Sequence, residues 1–132
     1  GIKHASLFKV ASGGELSRIL LSIKSVLSSH SKLPTMIFDE IDTGISGEMS
    51  NAMANIMLKM SVNMQIIAIT HLPQIAAKGN HHFNVYKENN LGIINTKIKK
   101  LNSNDRVDEI AKMLSGDAIS ESALVHAREL LN

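Results

Sequence analysis

The sequence predicts an α/β fold: a parallel strand–helix–strand unit, followed by a β-hairpin and two helices. Three observations carry this. Two apolar runs, Thr35–Phe38 and Gln65–Thr70, show no polar alternation and read as strands buried on both faces, the pattern of a parallel sheet. The stretch between them has helical spacing, which makes the three a βαβ unit with a right-handed crossover. Beyond residue 82 the pattern changes to an alternating segment, an Asn89-Asn90-Leu91-Gly92 turn and two further amphipathic stretches.

Taken in order, Leu7–Val10 reads as a short strand. A helix then runs from near Gly13 to about Ser28. Ser12 and Glu15 have capping-box spacing, and Leu16, Ile19, Leu20, Ile23 and Leu27 recur at helical intervals. Pro34 keeps this helix from running into the first strand. The crossover helix spans about Glu48 to Met60, with Met49, Met53, Ile56, Met57 and Met60 as its apolar face; methionines at this spacing read as core packing. Pro73 sits at a first-turn position of a short helix ending near Ala77. Phe83–Lys87 and Ile93 to about Leu101 form the hairpin. Val107, Ile110, Ala111 and Leu114 mark a helix stopped by Gly116, and Ala123, Leu124, Ala127 and Leu131 mark the last.

Composition narrows the function. The 132 residues suffice for one domain with a core, and 44% hydrophobic with 20% charged residues is ordinary for a globular protein. A formal net charge of +2 gives no strong electrostatic case for nucleic acid or membrane. There is no cysteine, which excludes disulfides and thiolate chemistry and suits a reducing cytosol. No apolar run has the length of a membrane span, and 3% aromatics argues against a base-stacking platform.

The stretch Met36–Gly44 is the most informative. Apolar residues lead into Asp39 and Glu40, then Asp42 and Gly44. Unpaired charges avoid the core, so both acids belong where the strand leaves it, and ligands of open α/β sheets bind at that edge. Such acids can hold a metal ion or activate water; they can also merely cap the next helix or form a turn. Upstream, Gly13 and Gly14 are not explained by capping, since each glycine in a helix costs about 1 kcal/mol relative to alanine. They bare backbone amides at the positive end of a helix, an arrangement suited to phosphate. His71 directly follows the second strand, and parallel pairing brings it to the same edge as the acids; a capping or packing role is the alternative. His81 and His82 are adjacent on an extended segment, face opposite ways and do not easily share a metal. Lys97, Lys99 and Lys100 read as a solvated strand edge.

These stretches resemble one family. Ala11-Ser12-Gly13-Gly14-Glu15 resembles the signature motif of ATP-binding-cassette (ABC) ATPases. Ile37–Glu40 resembles their Walker B strand, Ile41–Gly44 the D-loop and Thr70-His71 the H-loop, in the family's order and spacing. Phe38–Gly47, Thr70–Ala76 and Arg106–Leu114 are most similar to bacterial DNA-repair members of the structural-maintenance-of-chromosomes class. The resemblance implies roles. Ser12, Gly13 and Gly14, with Glu15, belong to the ATP-binding signature and reach the γ-phosphate held by a partner head. Asp39 holds Mg²⁺ through water, and Glu40 positions and deprotonates the attacking water. Asp42 links the two sites across a head dimer, and His71 contacts the γ-phosphate.

The family's Walker A loop, G-x-x-x-x-G-K-[ST], is absent, and there is no heptad-rich stretch. The expectation is therefore a partial P-loop NTPase head: residues 1–132 form a single C-terminal lobe of a split ABC-type head, inactive alone. Its implied partners are the N-terminal Walker A lobe, a second head in an ATP-dependent dimer and DNA, with no membrane. Its implied cofactors are ATP and Mg²⁺, and its implied place is the bacterial cytoplasm, at the nucleoid. Two other readings remain: a non-catalytic assembly or DNA-binding module of the same fold, and the nucleotide-binding domain of an ABC transporter.

Overall fold

A computed structural model describes residues 11–30, 33–42, 44, 45, 47–90 and 92–132. The strand expected at Leu7–Val10, and Thr43 and Ser46 of the acidic stretch, lie outside the described residues. Contacts divide the chain into two compact units, one ending at Ile75 and one spanning Ala76–Asn132.

The first unit is the expected βαβ arrangement with a helix before it: α1 (Gly13–His30), β1 (Thr35–Asp39), α2 (Gly47–Met60) and β2 (Gln65–Ile69). A short helix α3 (Pro73–Lys78) follows. β1 and β2 pair in parallel, with Thr35 opposite Gln65, Ile37 opposite Ile67 and Asp39 opposite Ile69. The core holds Leu21, Met36, Phe38, Met53, Ala54, Met57, Met60, Met64 and Ile75. The methionine face of α2 is thus largely buried, as its spacing predicts.

One expectation fails in this unit, and α1 shows the same physical reason. β1 is not buried on both faces: Met36 and Phe38 point into the core, while Ile37 is 55% exposed. Ile67 and Ile69 are exposed beside it. α1 does not bury its long apolar stripe either. Its buried positions are Ser17 and Leu21, and Leu20, Ile23 and Leu27 stand 41%, 51% and 52% exposed. Among the described residues, α1 and α2 cover only one face of the two-stranded sheet, so each residue's exposure follows what is there to cover it.

In the second unit, β3 (Phe83–Asn90) and β4 (Ile93–Lys100) form an antiparallel hairpin with Val85 opposite Ile98. Gly92 takes φ +86° at the turn and its N–H donates to Asn89 Oδ1 at 3.0 Å, the left-handed geometry a tight hairpin requires. Helices α4 (Ser103–Ser115) and α5 (Glu121–Leu131) pack on each other and bury Ile110, Ala111, Ala123 and Ala127. Asn102 and Ser120 cap their N-termini by accepting from Asp105 N and Ala123 N. Gly116, at φ +78°, closes α4 with its N–H on Lys112 O. Lys97 and Lys99 are solvated and paired with Glu88 and Asp105.

Candidate functional site

The candidate site lies in the first unit, at the carboxyl edge of the parallel pair. Asp39 is the last residue of β1 and sits opposite Ile69, the last residue of β2. Glu40 extends the ladder by one bond, its N–H donating to Ile69 O at 3.1 Å. It does so at φ +45°, a left-handed conformation that costs a side-chain-bearing residue about 1 kcal/mol. This turn takes the chain off the strand, and both carboxylates are exposed.

Two residues on, the chain turns back and buries Asp42, which is only 1% exposed. Asp42 Oδ2 accepts a hydrogen bond from the Thr70 hydroxyl and another from His71 N–H at 3.3 Å. Thr70 Oγ1 in turn accepts from Leu72 N–H at 3.0 Å. Among the described residues Asp42 Oδ1 has no hydrogen-bond partner, and it lies 3.5 Å from Nδ1 of the His71 imidazole. The imidazole itself is 67% exposed. Asp42 therefore ties the loop after β1 to the loop after β2, and the histidine rides on the tie.

The start of α1 shows the capping box in full. Ser12 N–H and Ser12 Oγ donate to Glu15 Oε2 at 2.8 and 2.9 Å, and Glu15 N–H donates to Ser12 Oγ at 3.4 Å. The backbone and hydroxyl donors of Ser12 hold the Glu15 carboxyl below its ordinary pKa. Gly14 has a steric reason that its sequence context did not reveal. A Cβ there would stand 2.7 Å from Gly44 O, and Gly44 itself holds φ +74°. The first turn of the signature-like helix thus lies backbone against backbone with the end of the loop that carries Asp42.

The structure brings Asp39, Glu40, Asp42 and His71 to one edge and sets Gly14 against Gly44. Thr70 is the residue to which the sequence reading gave no role; a hydroxyl next to a candidate histidine is its only signal. Among the described residues no group of three or more His, Cys, Asp or Glu side chains could hold a metal ion. Asp39 and Glu40 offer hard, exposed carboxylate oxygens, which suits Mg²⁺ completed by phosphate and water rather than by a protein cage. Of the two adjacent histidines, His81 is exposed. His82 is half-buried, and burial, reinforced by the Arg106 charge, pushes its pKa below the ordinary value.

The chain is 45% identical over 126 residues, 96% of its length, to the DNA repair protein RecN of Bacillus subtilis. It is 44% identical over its whole length to the DNA repair protein RecN of Haemophilus influenzae, and 44% identical over 99% of its length to that of Deinococcus radiodurans. The chain belongs to the RecN family. It spans 22–24% of the length of these relatives. No family model matches it. Among solved structures, one from a study of "ATP-driven dimerization and DNA stimulated activation of SMC ATPases" superposes with a TM-score of 0.63 at 19% identity, over 81% of this chain and 64% of that one. That likeness shows the fold: an α/β arrangement shared with that SMC ATPase structure.

Proposed function

We propose that the chain is the C-terminal lobe of a split ABC-type ATPase head that hydrolyses ATP within a DNA repair protein. The observation that carries this is the parallel pairing of β1 with β2, which sets Asp39 and Glu40 at the same edge as His71. Phosphoryl transfer needs little covalent chemistry from the protein; it needs positioned acids and donors around the phosphates. Glu40 accepts the proton of the attacking water and orients it. Asp39 holds Mg²⁺ through water, and His71 donates toward the γ-phosphate. The exposed N-terminus of α1, with Ser12, Gly13, Gly14 and Glu15, faces ATP held by a second head; Asp42, expected to link the two halves of the composite site, is buried instead and ties the loop after β1 to the loop that carries His71. Mg²⁺, if bound beside Asp39, would supply positive charge to offset that of the phosphates.

The missing Walker A loop comes from an upstream lobe of the same protein. The apolar surfaces left open by the described residues support that partner: Ile37, Ile67 and Ile69 on the sheet, and Leu20, Ile23 and Leu27 on α1. A second head dimerises with the first in an ATP-dependent way, and the whole protein works on DNA ends in recombinational repair, in the bacterial cytoplasm at the nucleoid. Among the described residues no helix is long and apolar enough to cross a membrane. In the longer protein, Glu40→Gln keeps size and polarity but cannot take the proton. Hydrolysis then falls by about 10² or more while ATP is still bound, an effect of the size expected for loss of a general base. Unchanged hydrolysis would refute the assignment.

A further inference from the structure

The tie between Asp42 and the loop after β2 runs through a side chain that the proposed chemistry does not use. Thr70 Oγ1 donates to Asp42 Oδ2 across 28 sequence positions and accepts from Leu72 N–H two positions on. A threonine that only shaped its own turn would need the second contact alone. The same Asp42 oxygen also takes the N–H of His71 at 3.3 Å. Thr70 and the backbone of His71 are thereby fixed to one buried carboxylate, and Leu72 to Thr70, while the His71 side chain stays 67% exposed. Its Nδ1 lies 3.5 Å from Asp42 Oδ1, a buried oxygen without a hydrogen-bond partner among the described residues, so a small rotation of the ring completes an Nδ1–H···Oδ1 bond.

We infer that Thr70 is a positioning residue: its hydroxyl, by bridging Asp42 and the Leu72 amide, holds Asp42 where it aims the His71 imidazole at the transferring phosphate. This deepens the ATPase reading and rests on it. The inference predicts that Thr70 acts through His71 and affects the chemical step rather than nucleotide affinity.

The test uses the longer protein, with ATP and Mg²⁺, and measures kcat, KM and binding of a fluorescent ATP analogue. Thr70→Val keeps the shape and removes the hydroxyl; Thr70→Ser keeps the hydroxyl. Valine lowers kcat about tenfold or more with KM nearly unchanged, the size of loss expected from a misplaced group, and serine restores most of it. In a His71→Ala background, Thr70→Val has no further effect, because the residue it positions is gone. A purely structural role would add its loss to that of His71→Ala. If valine prevents folding, Thr70→Cys, which offers only a weak donor, replaces it with the same expectation. The inference is overturned if valine leaves kcat unchanged, if serine is as impaired as valine, or if the losses in the double variant add. Glu40→Gln measured alongside separates the two claims. If it abolishes hydrolysis while Thr70→Val does nothing, only the positioning role falls. If it changes nothing, the role of Glu40 falls; if the longer protein hydrolyses no ATP at all, the ATPase reading itself falls and this inference with it.

Discussion

In helices α4 and α5 the positions that recur at helical spacing are those that pack: Ile110, Ala111, Ala123 and Ala127 are buried, with Val107, Leu114, Leu124 and Leu131 against them. In α1 the stripe with the same spacing, Leu20, Ile23 and Leu27, faces outward, and the buried residues are Ser17 and Leu21. The two regions obey the same periodicity and differ in what covers them. α4 and α5 cover each other, so their pattern is satisfied within the chain. The stripe of α1 and the outer face of the β1–β2 sheet are covered by none of the described residues. Burying a large aliphatic side chain is worth about 1.5–3 kcal/mol, so three such residues on one helix represent a strong drive toward further polypeptide. Periodicity locates an apolar stripe; it does not say whether the covering partner is in hand.

Core truncations sharpen this contrast most. In the 132-residue chain, Ile110→Ala costs about 2–5 kcal/mol of stability, because it empties a closed core. Ile23→Ala in the same chain stays within about 0.5 kcal/mol, as a solvent-facing substitution does. In the longer protein the second value rises toward the first. Urea unfolding of both variants, in the short and the long chain, measures all four values. Equal losses in the short chain would break the comparison.

Gly14→Ala is next. Its methyl group meets Gly44 O at 2.7 Å, and the obstacle is backbone rather than a flexible side chain. The substitution costs about 1–3 kcal/mol, the range for overpacking, although alanine is the better helix former. A thermal melt that rises instead would show that the Gly44 loop gives way freely.

The smallest effect is a pH dependence in the second unit. His82 has its pKa lowered, first by burial and then by Arg106. The unfolded chain therefore binds this proton more readily than the folded one. Its contribution to stability is complete above the ordinary value of 6.5 and is lost as pH falls from there through the lowered folded value. His82→Gln flattens that part of the stability–pH curve. An unaltered curve would assign the acid sensitivity elsewhere.

Much of the fold was legible in the sequence because its signals are local. The Ser12–Glu15 box, the methionine face of α2, the Gly92 turn and the Gly116 stop each depend on residues a few positions apart, and the structure has all of them. The shared edge of Asp39 and His71 was legible too, because parallel pairing alone requires it. What was hidden depends on distant partners. The exposure of Ile37 reflects a face with nothing on it. The need for Gly14 comes from a backbone oxygen thirty positions away, at Gly44. The burial of Asp42 against Thr70 closes a contact over 28 positions that no spacing rule encodes.

The most direct test of the account is ATP turnover by the 132-residue chain with Mg²⁺, before and after the upstream part of the protein is restored. The account predicts no turnover by the chain alone, since it lacks the Walker A loop and its lysine, and Mg²⁺-dependent hydrolysis once the upstream part is present. Hydrolysis by the chain alone, abolished by Glu40→Gln, would contradict the claim that this is half of a composite site.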